Sequence, residues 1–145
     1  MKKFYYLLIL VALFGATACS PKLGQTLSIE NFDEVAADWD YALVHIYRRN
    51  APVGVLVGYD LYMGDEKICH VKNKWKTTVQ IRTFGPTTVS ARTETKTEMP
   101  ITIEKGREYY IRGGLMVGAF VGRPTLELMS KSAGKKDFDR IKSKD

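Results

Sequence analysis

Apolar and polar positions alternate with a period of two through most of residues 41–130, the spacing of strands rather than helices. In "YALVHIYR" (41–48), Ala42, Val44 and Ile46 fall on one face and Leu43, His45 and Tyr47 on the other. Both faces are largely apolar or aromatic, which predicts a central strand. "VGVLVGYDLYM" (53–63) reads as a second strand, long enough to need a bulge at a glycine. Gly64-Asp65 turns the chain into "EKICHV" (66–71), and "KNK" turns it into "WKTTVQIR" (75–82), where Trp75, Thr77, Val79 and Ile81 share a face. After Gly85-Pro86, "TTVSARTE" and "MPITIEK" place Val89, Ala91, Ile101 and Ile103 inward. Lys105-Gly106 then turns into a glycine-rich strand over 108–122, and "RPTLELMS" is the last. Seven to nine strands follow one another with turn signals about every ten residues and no helix between them. This predicts an all-β fold, a small antiparallel β-sandwich. The chain closes in a short helical or frayed stretch with Phe138 and Ile141 spaced to dock on the body.

The first forty residues have a different pattern. Lys2 and Lys3 precede an uncharged run of eleven residues, Phe4 to Phe14. That run is shorter than the about 20 residues a spanning helix needs, and it has the length of a signal-peptide core. Small residues follow, and "ATAC" (16–19) resembles a bacterial lipobox, with Ala16 where leucine is usual. The resemblance implies that residues 1–18 are removed as a lipoprotein signal peptide and that the Cys19 thiol is acylated. Each buried CH₂ contributes about 0.8 kcal/mol, so two or three chains on Cys19 would hold the protein at a bilayer permanently. Ser20 follows where an aspartate would retain such a protein at the inner membrane. The expected location is therefore the cell envelope, at the outer membrane facing the periplasm. Residues 19–40 read as an acylated tether with a short helix over "NFDEVAAD", which Asn31 caps with Glu34 three residues on.

Removal of residues 1–18 from the 145-residue chain leaves 127, enough for one domain. The net charge of +6 becomes +4 without Lys2 and Lys3, and most of it lies in the basic tail, 131–145. No basic stripe interleaved with aromatics appears, which argues against nucleic-acid binding. With Cys19 acylated, Cys69 is the remaining thiol and cannot form an internal disulfide.

"ALVHIYR", "YDLYMGDEKICHVKNKW", "GREYYIRGG" and "VGRPTLELM" together resemble a bacterial domain-of-unknown-function family, number 2846, of small envelope proteins that are often lipoproteins. The resemblance covers about residues 41–130, and "GRPTLEL" is its most specific piece. It implies a β-rich envelope domain and carries no catalytic residues.

Candidate chemistry is sparse. Cys69 and His70 are adjacent, so a strand points them to opposite faces and prevents a Cys–His pair. No spacing suits a metal or a cofactor, and no GxSxG, HExxH, P-loop or GxGxxG is present. Asp60 is out of place in an apolar strand. The expectation is that Arg123, or alternatively Arg112, pairs with it across neighbouring strands. Gly54 and Gly58 are four apart, as are Gly114, Gly118 and Gly122. One strand face of glycines beside Phe120 would let a flat apolar surface approach, or would only let the sheet curve. The favoured function is a non-catalytic, membrane-anchored binding or structural module, held by the bilayer through Cys19 and with an envelope protein as a possible partner. The alternative is a hydrolase-like enzyme with a site near Asp60, Arg112 and Arg123.

Overall fold

A computed structural model describes residues 39–117 and 122–142. The signal peptide expected over 1–18, Cys19 and the helix expected over 31–38 lie outside the described residues, as do Gly118 and Phe120. Eight strands are followed by one helix: β1 (Ala42–Arg48), β2 (Tyr59–Met63), β3 (Glu66–Val71), β4 (Trp75–Ile81), β5 (Gly85–Arg92), β6 (Lys96–Ile103), β7 (Glu108–Val117), β8 (Gly122–Met129) and α1 (Lys131–Arg140). They form two four-stranded sheets, ordered β4-β1-β7-β8 and β3-β2-β5-β6. This is the expected all-β sandwich, with one difference. β1 and β7 are parallel, Leu43 opposite Glu108 and Arg48 opposite Gly113, while every other pair is antiparallel. Strands so far apart in sequence share no hairpin, so no turn dictates their direction.

The core lies between the sheets. Ala42, Val44 and Ile46 of β1 meet Tyr59 and Leu61 of β2, Val89 and Ala91 of β5, Ile101 and Ile103 of β6 and Ile111 of β7. Trp75, Val79 and Ile81 pack at its margin. β1 is central in its sheet and covered on both faces, as its pattern requires. Its outward residues His45 and Tyr47 lie under α1, where Tyr47, Tyr110 and Ile141 form a second cluster with Met129 and Phe138. Ser130 caps this helix, its hydroxyl accepting from the Ala133 N–H at 3.4 Å. Pro100 and Pro124 fall on β6 and β8, both edge strands, where a missing N–H breaks no ladder.

The expected strand over 53–63 is half loop. Only Tyr59–Met63 pairs, and residues 53–56 form a turn in which Gly54 has φ +68°. The bulge falls elsewhere. Leu61 faces Cys69 and Tyr62 faces Lys67, so Ile68 of β3 is the extra residue.

Candidate functional site

β1 ends on a charged residue that faces inward. Arg48 continues the series Ala42, Val44, Ile46 and is 1% exposed. Its Nη1 donates to the Val57 carbonyl at 2.6 Å and its Nη2 to the Gly54 carbonyl at 2.9 Å. The guanidinium carbon sits 5.8 Å from the centre of the Tyr59 ring. No carboxylate pairs with Arg48 among the described residues, and its Nε has no hydrogen-bond partner there. Burial therefore lowers its pKa, opposed by Tyr59, whose own hydroxyl burial pushes up to about 12. A charge is held in the interior to bind the backbone of the β1–β2 loop.

That loop is fixed at further points. Gly54 accepts from the Val57 N–H at 3.1 Å, and Asn73 of the β3–β4 turn accepts from the Ala51 N–H at 3.1 Å. Asn73 also donates to the Asn50 side chain. At Gly54 a Cβ would lie 2.5 Å from Leu115 Cδ2, so the backbone rests directly on β7. Val53, Val55, Leu56 and Val57 nevertheless remain exposed, Leu56 almost wholly at 98%. The segment is held by its backbone, with Leu56 standing in water and Val53, Val55 and Val57 partly so.

The same end of the sandwich gathers the β3–β4 and β5–β6 turns. Arg49, Lys72, Lys74, Arg92 and Arg123 are exposed there, together with Glu94, the partly exposed Asp60 opposite Arg92, and Asp137, which lies 3.6 Å from Arg49. The opposite end has Asp40, Asp65, Glu66, Glu104 and Glu108 against Arg82, Lys105, Arg107 and Lys131. The loop end is thus the more basic of the two, and the apolar loop stands there.

Asp60 does not pair with Arg123 or Arg112, which corrects the expectation from sequence. β2 and β8 belong to different sheets. Asp60 Oδ1 lies 2.6 Å from His70 Nδ1, and Oδ2 lies 2.9 Å from Lys67 Nζ. The hydrogen bond from His70, then that from Lys67, lowers the Asp60 pKa. Strict alternation would put residues 67 and 70 on opposite faces; the extra Ile68 brings both beside Asp60. Arg112 instead pairs with Glu127 across β7–β8 and lies 3.8 Å from Asp137. Cys69 and His70 do point apart: the thiol packs on the core, and burial raises its pKa to about 12. His45 is half-buried against Tyr110, its Nδ1 2.8 Å from Thr78 Oγ1, and desolvation lowers its pKa.

The glycine face is also corrected. Gly114 faces Thr125 and Gly122 faces Val117. Cross-strand partners share a face, so Gly114 and Gly122 lie on opposite faces of the sheet. Gly113, on the inner face, makes room for the buried Tyr59 hydroxyl.

A cleft of about 290 Å³ beside the end of β1 is lined by Arg48, Arg49, Arg112, Thr125 and Glu127. Arg49 and Arg112 face Asp137, and Arg112 also faces Glu127, so these cations are already met by acids. A larger cleft of about 610 Å³ opens where β3 and β4 leave a seam between the sheets, lined by Ile68, Val79, Ile81, Phe84 and Arg82. Among the described residues, no group of three His, Cys, Asp or Glu side chains is placed to hold a metal ion.

No family model, no curated protein and no solved structure matches this chain. The reading of its site rests on the geometry above.

Proposed function

We propose that this chain is a non-catalytic, membrane-anchored envelope lipoprotein, a binding or structural module of the kind that the resemblance to family 2846 implies. Cys19 carries the acyl chains, and the domain faces the periplasm from the outer membrane. One observation supports this reading above the others: the interior charge of Arg48 is bonded to the backbone of a loop that leaves Leu56 almost wholly exposed and Val53, Val55 and Val57 about half exposed. Loops normally bury such side chains or do without them; a loop that presents them on a fixed backbone is suited to contact. The enzyme alternative needs Asp60, Arg112 and Arg123 in one site. Asp60 belongs to the β3-β2-β5-β6 sheet, bonded to His70 and Lys67, whereas Arg112 and Arg123 belong to the other sheet.

Cys19→Ser in cells is expected to abolish palmitate incorporation and to leave an uncleaved or soluble precursor. Palmitate still attached to the substituted protein would contradict acylation at Cys19.

A further inference from the structure

The β1–β2 loop raises the question of what it touches, and the answer rests on the anchored-module reading above. We propose that this loop is a second membrane contact: Val53, Val55, Leu56 and Val57 enter the interface of an anionic phospholipid bilayer, with the surrounding lysines and arginines at headgroup level.

Three observations carry it. First, residues 51–59, "APVGVLVGY", contain no charged side chain, and the four apolar residues project from one turn. An interfacial segment needs this, since it exchanges water for acyl chain without desolvating a charge. The bonds that Arg48 donates and the one that Asn73 accepts hold the backbone in place, so insertion would not require the loop to order itself.

Second, the charge around the loop is mainly positive. Arg49, Lys72, Lys74, Arg92 and Arg123 lie at this end against Asp60, Glu94 and Asp137, the last already meeting Arg49. A second copy docking loop to loop would bring these cations face to face, whereas anionic headgroups complement them.

Third, a tether of this length permits the contact. The described chain begins at Trp39, next to the start of β1, so the loop lies one strand length away, about 23 Å for seven residues. Residues 19–38 span at most about 70 Å. An anchor at Cys19 therefore leaves the basic end free to meet the same bilayer. Membrane binding that combines an acyl chain with a basic apolar surface is firmer than either alone.

The test uses the acylated protein, purified from membranes and reconstituted into vesicles, with Leu56→Cys carrying an environment-sensitive fluorophore. Leu56 is almost fully exposed, so the substitution spares the fold, and the partly buried Cys69, packed on the core with its pKa raised to about 12, labels far more slowly. In phosphatidylethanolamine–phosphatidylglycerol vesicles the label is expected to shift to the blue and to lose about half or more of its emission to doxyl lipid. In phosphatidylcholine vesicles the quenching should weaken, and Lys72→Glu with Lys74→Glu should weaken it further. Protein that floats with vesicles while its label stays open to aqueous iodide and untouched by doxyl lipid overturns the second contact and leaves the anchor standing. Protein that does not float overturns both. Emission that self-quenches with protein density, independent of lipid charge, assigns the loop to a second copy and overturns the bilayer assignment.

Discussion

Arg48→Ala is expected to destabilise the protein by about 2–4 kcal/mol and to loosen residues 53–58. Two hydrogen bonds from a charged donor are lost, each worth about 1.5–3 kcal/mol, together with the contact over Tyr59. The aliphatic stem leaves a hole at the end of the core. One term opposes these losses. The guanidinium is buried without a carboxylate, so its removal relieves a desolvation penalty, which holds the net effect below the sum. The carbonyls of Gly54 and Val57 turn to water instead, and hydrogen exchange across the loop should rise more than in the sheets. Arg48→Met keeps most of the volume and should lose less stability while loosening the loop equally. Urea unfolding measures the first effect and hydrogen exchange the second. A loss under about 1 kcal/mol with unchanged exchange in the loop would mean that Arg48 does not hold it.

Gly134→Leu is expected to detach α1 while leaving the sandwich folded. Gly134 is the buried residue of that helix, and a Cβ there would lie 2.6 Å from Tyr110 Cγ and closer still to its Cβ. These atoms are the root of the tyrosine side chain, fixed to the β7 backbone, and cannot swing aside. Gly134→Ala gains about 1 kcal/mol of helix propensity but forces overpacking of about 1–3 kcal/mol. Leucine adds three more carbons at the same point. A ten-residue helix is marginal without its seat, so it should unfold once undocked. Tyr47, Tyr110 and Phe138 then become exposed, and the Asp137 contacts to Tyr47, Arg49 and Arg112 are lost. The core between the sheets lies on the other face of β1 and β7 and does not depend on the helix. Circular dichroism should lose its helical component and keep its β component. Full retention of the helix, with unchanged stability, would contradict the packing at Gly134.

The period-two pattern made much of this legible in the sequence. β1 reads as apolar on both faces because one sheet face meets the core and the other meets α1. Phe138 and Ile141 read as docking residues and are. What failed concerns information that alternation does not hold. "VGVLV" has the composition of a buried strand, and composition cannot tell an apolar residue facing the core from one facing water; a positive φ at Gly54 and the bonds from Arg48 decide it. Arg48 itself was readable, since it shares the parity of Ala42, Val44 and Ile46. The pairing of Asp60 with Arg123 or Arg112 fails because β2 lies in the other sheet from β7 and β8, which no local pattern reports, and the bulge at Ile68 hides from strict alternation that Lys67 reaches Asp60. Gly114 and Gly122 looked like one face only as long as a single strand ran through both; the β7–β8 register separates them. The parallel pairing of β1 with β7 joins segments too distant for any local signal.

The claim that matters most is that the basic, apolar end of the sandwich is the surface on which this protein works. Photo-crosslinking in intact cells addresses it directly, with a photoreactive residue placed at Leu56 and, as the control, at Glu104 in the exposed β6–β7 turn of the opposite end. Irradiation is expected to yield lipid adducts from position 56 and little from position 104. Equal yields at the two positions, or adducts from position 104 alone, would contradict it.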